Sequence, residues 1–387
     1  MTARVLEGSQ AIAEAVRLAR PQVVAAYPIT PQTHVVEALA SAQADGRLDA
    51  EFLTVESEHS AASAVLGASA AGVRTYTATS SQGLLYMAEV VFNISGMRLP
   101  VVMTIANRAI SGPLSIWNDH QDSMIMRDSG WLQLFAQTPQ EAHDLHLAAY
   151  RIAEDPRVLL PVMVCVDGFV LTHAYEPVQT ATQEQADAFL PAFDPPHRLD
   201  PDDPMTFGAY AEPSVYAESR YAVEAAMGEA GHVISEAMAG LANLTGRSYD
   251  PWLDRHRLDD AAVVLVAMGT AAQTARVAVS ELRAEGLPVG LVAIRTFRPF
   301  PVEELRAALG DAKRVVVLDR AVSLGAGGVV ATEVRAALSE LPQPPKVVGV
   351  VAGLGGRDVS VETLRRAFAA EKDGWIDLKP ELVEVAP

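Results

Sequence analysis

Short runs of Val, Ile and Ala alternate along the chain with longer segments whose apolar positions recur every three to four residues. In the first half the apolar runs predict strands over residues 22–26, 52–55, 74–78, 99–106 and 159–166. Between them, helical spacing covers 35–42, 58–71, 83–95 and 139–153. Thr138 before Pro139 marks a helix start, with the hydroxyl as cap and the proline in the first turn. The first ten residues read as entering a helix directly. Alternation of this kind predicts an α/β fold: a doubly wound, mostly parallel sheet covered on both faces.

The texture changes over residues 189–213, where FLPAFDPPHRLDPDDPM is too rich in Pro and Asp for a helix or a central strand. Helical spacing resumes over 219–244, read as a long helix across the junction of two domains. A second series then begins at 261. Strands are expected within AAVVLVAMG and over 288–294, 314–318 and 346–351, with helices over 270–285, 301–309 and 327–341. The predicted division is a first domain over 1–245 and a smaller α/β domain over 258–387.

Composition narrows the class. Of 387 residues half are hydrophobic and only 6% aromatic, which suits close helix-on-sheet layering better than an aromatic-rich sandwich. No uncharged apolar run of about 18 residues is present, so no membrane span is expected. The opening MTARVLEGSQ lacks a signal-peptide layout, and the expected location is cytoplasmic. A formal charge of −18 argues against a nucleic-acid surface. The single cysteine, Cys165, lies in an apolar run and reads as a buried, inert thiol. One thiol cannot hold an iron–sulfur cluster, which takes about four.

In open parallel sheets ligands bind beyond the carboxyl ends of strands, which directs attention to four turns. Pro28 and Pro31 bracket Ile29-Thr30 in a stiff turn that presents the Thr30 hydroxyl in a fixed direction, for capping or for a ligand. Glu56 and Glu58 open a helix stripped of bulk (AASAVLGASAAG), where an acid could serve the helix dipole. A carboxyl held at such an apolar interface could also share a proton with a ring nitrogen. The hydroxyl-rich 77–83 turn, with Ser81 and Gln82, could meet an anion but is no Walker loop. Arg108 follows a strand directly and suits a carboxylate, though a lone Arg is commonly a structural ion pair. The loop WNDHQDS, with Asn118 and His120, has no metal-ligand spacing, and His120 reads equally as an acid–base group or a bonded loop residue. The glycine clusters at 325–328 and 353–356 are poor dinucleotide fingerprints.

Taken together and in order, AYPITPQT, VESEHSA, TATSSQGL, NRA with LSIWNDHQDS, and FRPFP with GLGGRD resemble the α subunit of four-subunit pyruvate:ferredoxin oxidoreductases. The resemblance runs from about Gly8 to about Arg366. It implies a thiamine pyrimidine-binding domain followed by a transketolase-C-like domain. Thiamine diphosphate would lie between this chain and a β subunit that holds the diphosphate, its Mg²⁺ and a nearby [4Fe–4S] cluster. Further γ and δ subunits and ferredoxin complete the implied assembly, which converts pyruvate and coenzyme A to acetyl-CoA. By resemblance Glu58 pairs with N1′ of the aminopyrimidine, Thr30 and Arg108 serve pyruvate, and Pro28, Ile29, Ser81 and Gln82 line the cofactor. Asn118 and His120 are implied near the substrate, and no metal is assigned to this chain. SSQG at 80–83 resembles the pyruvate-type chains. The alternatives are a branched-chain (2-oxoisovalerate) enzyme and a non-catalytic assembly subunit.

Overall fold

The computed structural model describes residues 2–383. Its first sheet has seven strands, in the order Thr296–Arg298, Leu132–Phe135, Val162–Asp167, Val102–Asn107, Thr75–Thr79, Val23–Ala26 and Glu51–Thr54. All are parallel except Thr296–Arg298, which pairs antiparallel at one edge. The second sheet runs Gly374–Trp375, Lys346–Val351, Arg314–Asp319, Val263–Met268, Val289–Ile294 and Leu253–His256. Again only the last edge strand is antiparallel. The fold is therefore the expected doubly wound α/β arrangement.

Side-chain alternation along the strands divides the interior into layers. Val162, Val164 and Val166 face a core with the helices Gly8–Ala19, Pro139–Ala153 and Tyr216–Thr245. Met163 and Cys165 face the opposite core, which continues through Phe135 and Phe297 to Val264, Val266, Val292 and Val315 of the second sheet. That one apolar cluster spans both halves of the chain. Cys165 is fully buried, as expected, and burial raises its pKa.

Several elements differ from expectation. Residues 2–7 form a strand, paired antiparallel with Tyr175–Thr180, before the helix Gly8–Ala19 begins. The expected helix over 83–95 is two helices, Ser81–Tyr86 and Ala88–Gly96, divided at Met87. The strands Leu132–Phe135 and Thr296–Arg298 were not anticipated, because segments this short have no resolvable period. The long helix Tyr216–Thr245 packs on Pro139–Ala153, Ala88–Gly96 and Gln183–Phe189 and also meets Trp252, whose ring would lie 3.3 Å from a Cβ on Gly231. Its buried stripe includes Val223, Ala226, Ala230, Val233 and Ala237, and Gly246 at φ 71° ends it. Among the described residues no helix is long and apolar enough to cross a membrane.

Trp131 sits fully buried in the shared core, its indole N–H donating to the Val91 carbonyl at 2.8 Å. Trp131→Ala should destabilise the chain by about 3–5 kcal/mol in chemical unfolding, the usual cost of emptying an aromatic core position.

Candidate active site

Four neighbouring parallel strands deliver their C-terminal ends to one edge of the first sheet. Val102–Asn107 ends at Arg108, Thr75–Thr79 at Ser80-Ser81, Val23–Ala26 at the Pro28–Thr30 turn, and Glu51–Thr54 at Glu58. All the strand-end residues singled out in the sequence thus gather on one side. Tyr27 and Leu53, on or next to these strand ends, and Tyr86, at the end of the helix Ser81–Tyr86 that follows one of them, are exposed apolar side chains.

Glu58 begins the helix Glu58–Ala70, whose cap is Ser57, with its hydroxyl accepting from the Ser60 N–H at 3.2 Å. The Glu58 side chain turns inward and is 8% exposed. Glu56 is exposed, hydrogen-bonded to the Ser60 hydroxyl, which lowers its pKa. The two rival carboxylates are therefore in different environments. Glu58 lies over Gly83, where an added Cβ would come 2.8 Å from Glu58 Oε1 and 2.5 Å from Thr79 Oγ1. Only glycine permits that approach. No donor among the described residues is bonded to the Glu58 carboxyl. The buried Thr77 Oγ1, Thr79 Oγ1 and Gln82 Nε2 also lack partners. Native interiors rarely leave such atoms unpaired, so this cluster is suited to a polar ligand.

Arg108 is 6% exposed; its Nε donates to the Ser115 carbonyl and its Nη1 to the Thr30 carbonyl, both at 2.9 Å. Its Nη2 has no hydrogen-bond partner among the described residues. The hydroxyl of the exposed Thr30 is likewise unbonded among the described residues. Behind Arg108 stands Asp122, fully buried. Asp122 accepts from Ser81 N at 2.9 Å, Arg108 N at 3.0 Å, Asn107 Nδ2 at 2.8 Å and Ser123 N at 2.8 Å. Burial pushes its pKa up to about 7, against the donors that favour the charged form. Ser81 is held at φ 50°, a left-handed conformation that costs a non-glycine residue about 1–3 kcal/mol. Its bonds to Asp122 and to the Ala109 carbonyl maintain it.

Asn118 and His120 lie on the same loop but face the second sheet. Asn118 Oδ1 accepts from Arg320 Nη2 at 2.8 Å, and its carbonyl accepts from Gly356 N at 2.7 Å. His120 Nε2 meets Asp167 Oδ1 at 2.8 Å, and Asp167 also takes Arg320 Nη1 at 3.0 Å and Thr270 N at 2.7 Å. Burial alone would raise the Asp167 pKa, but the Arg320 charge, His120 and Thr270 outweigh it and hold it well below the usual range. Asp119 receives Gly355 N at 3.0 Å. A Cβ on Gly356 would strike Trp117 Cβ at 2.4 Å, so GLGGRD is a close-packing turn against this loop. The hydrogen bonds of Asn118 and His120 thus serve the junction of the two sheets, not the open face.

The family model described as pyruvate flavodoxin/ferredoxin oxidoreductase, thiamine diphosphate-binding, matches residues 14–239. A second, pyruvate:ferredoxin oxidoreductase core domain II, matches 261–364. The pyruvate synthase subunit PorA of Methanothermobacter thermautotrophicus is 48% identical over 98% of this chain and 100% of its own. The chain belongs to the pyruvate:ferredoxin oxidoreductase family.

Within that family, PorA of Pyrococcus furiosus is 47% identical over 98% of this chain and 99% of its own. The ketoisovalerate oxidoreductase subunit VorA of the same organism is 44% identical over 94% and 92%. Among solved structures, a 2-oxoglutarate:ferredoxin oxidoreductase from Magnetococcus marinus has a TM-score of 0.68 at 18% identity. It covers 94% of this chain, which spans only 64% of that one. A split-gene transketolase has a TM-score of 0.54 at 16% identity, covering 95% and 100%. These two likenesses establish the fold.

The sequence reading missed Gly83, Asp122, Asp167 and Arg320. Asp122 carries a testable pH signature. Its native pKa, about 7, exceeds the unfolded value of about 4, so the folded chain holds a proton that the unfolded chain has released. Stability should therefore fall as pH rises from about 4 to about 7. Asp319, also raised by burial to about 7, adds to the same slope. Urea midpoints measured from pH 5 to 8 should decline in the wild type and decline less in Asp122→Asn; equal slopes would remove Asp122 from this account.

Proposed function

We propose that this chain supplies half of the active site of a heteromeric pyruvate:ferredoxin oxidoreductase. The reaction takes pyruvate and coenzyme A to acetyl-CoA and CO₂, with two electrons passing to ferredoxin, and it is reversible. The carrying observation is the unbonded, nearly buried Glu58 carboxyl beside the Thr30–Arg108 pair on one open sheet edge. The two expected domains, 1–245 and 258–387, are read as the pyrimidine-binding and transketolase-C-like parts.

The residues fit thiamine diphosphate. Gly83 leaves room against Glu58, and Gln82 Nε2 and Thr79 Oγ1 are buried polar atoms without partners. When bound, the cofactor supplies the nucleophilic carbon and the electron sink for 2-oxoacid cleavage. Glu58 would hold and return a proton at a ring nitrogen of the aminopyrimidine, from a carboxyl on a residue only 8% exposed and closely approached by Gly83. Pro28, Ile29, Ser81 and Gln82 form the walls of that cradle. Arg108 offers Nη2 to the substrate carboxylate while its other nitrogens are fixed by Thr30 and Ser115. The Thr30 hydroxyl faces the same substrate. Asn118 and His120, committed to Arg320 and Asp167, are proposed to position the loop rather than to touch substrate.

Mg²⁺ and the [4Fe–4S] clusters are assigned to partner β, γ and δ subunits. Supporting this, the one thiol of the chain is buried with a raised pKa and can ligate nothing. The exposed Tyr27, Leu53 and Tyr86 suit a face covered by a partner chain. The substrate reading rests on the pyruvate synthase relatives. The VorA match at 44% keeps 2-oxoisovalerate as the competitor, and a 2-oxoacid panel on the purified complex separates the two.

In the reconstituted complex, Glu58→Gln should lower turnover by about 10²–10⁴-fold, the usual range for a positioned proton-transfer group. Its circular dichroism should match the wild type. Unchanged turnover would instead support a non-catalytic assembly role. Arg108→Leu should raise the KM for pyruvate more than it lowers kcat, measured by initial rates of ferredoxin reduction.

A further inference from the structure

Beside the Thr30 turn, three side chains from remote parts of the chain converge. Glu7 ends the strand Thr2–Glu7, His34 lies in the first turn of the helix Thr33–Ala44, and His173 precedes the strand Tyr175–Thr180. Each offers a ligand atom, and all three atoms lie within 4.8 Å of one another. His34 Nδ1 is 2.6 Å from Glu7 Oε1, and the two imidazole rings are 4.5 Å apart between centroids. We propose that Glu7, His34 and His173 form a binding site for a divalent transition-metal ion.

An ordinary His34–Glu7 ion pair accounts for two of these groups but not for the third. His173 is oriented: its Nδ1 is 2.8 Å from Thr172 Oγ1, which itself accepts from Phe169 N at 2.8 Å. With Nδ1 occupied in this way, Nε2 is free to ligate, the arrangement in which a neighbour holds the outer nitrogen of a metal-bound histidine. Burial and the adjacent His34 lower the His173 pKa, against Glu7, and a neutral imidazole is the form an ion takes up. The second Glu7 oxygen receives the Tyr175 hydroxyl at 3.3 Å. Glu7 is 6% exposed, whereas the His34 side chain is 45% exposed, so the carboxylate is inside and the entry path is open.

Two imidazoles and one carboxylate suit Zn²⁺, Co²⁺ or Ni²⁺ rather than Mg²⁺ or Ca²⁺, which prefer all-oxygen sets. Three protein ligands leave a fourth position for water. The ion would tie together three segments, one of which begins three residues after Thr30. Gly168, on the His173 segment, already packs against Pro31, with its ideal Cβ 2.5 Å from Pro31 Cγ. Metal binding there would stiffen the turn that presents Thr30.

The test is titration of the full chain, without thiamine diphosphate, with Co²⁺ and then Zn²⁺. Visible d–d absorption on Co²⁺ addition, displaced by Zn²⁺ and weakened at least about tenfold in affinity in the double variant His34→Gln/His173→Gln, is expected. No d–d band, or equal affinity in the variant, would overturn the site. A variant that fails to fold is bypassed on the wild type. There Zn²⁺ should protect His34 and His173 from diethylpyrocarbonate, read by peptide mass spectrometry. Unaltered modification of both would equally overturn it.

Discussion

One buried carboxylate, Asp122, is the constraint on which the strand-end face depends. Parallel strands that stop at a common edge leave main-chain donors at the turns, and buried donors without acceptors are costly. Asp122 meets three of them, the N–H groups of Ser81, Arg108 and Ser123, and also takes the Asn107 side-chain amide, so it joins the ends of two neighbouring strands. The left-handed Ser81 and the fork of Arg108 follow from that single acceptor. Through Arg108 Nη1 the arrangement extends to Thr30 on a third strand end.

The loop that carries Asp122 is in turn secured from the second sheet. Arg320 bonds both Asn118 and Asp167, and His120 and Thr270 complete the Asp167 shell. Such a buried charged set earns little net stability, since desolvation offsets the attraction. Its value here is geometric: it fixes one relative placement of the sheets, and that placement sets the loop. The apolar core running through Phe135 and Phe297 supplies the adhesion that the ion network does not. The second half of the chain thus shapes the face without lending a residue to the proposed proton transfer.

How much of this was legible depends on distance along the chain. Thr30, Glu58 and Arg108 were visible because each lies within four residues of the end of a recognisable strand, and Pro28 and Pro31 mark a turn. The choice of Glu58 over Glu56 needed family resemblance, and burial then separated the two. Asp122 could be seen only as part of a polar loop, because its four donors come from three segments that the fold brings together. Arg320 lies 202 positions from Asn118, beyond any spacing rule. Asn118 and His120 were placed near the substrate by resemblance, and no spacing in the sequence showed their hydrogen bonds to Arg320 and Asp167. The strands Leu132–Phe135 and Thr296–Arg298 were hidden by their shortness. The Glu7–His34–His173 cluster has no spacing signature at all.

The central claim is that Glu58 is the proton partner of an aminopyrimidine held against Gly83. Its most direct test is the rate at which the C2 proton of thiamine diphosphate, bound to the reconstituted complex, exchanges with solvent deuterium. Wild-type complex should exchange faster than the Glu58→Gln complex by about two to four orders of magnitude, at equal cofactor occupancy. Equal exchange rates would contradict the claim.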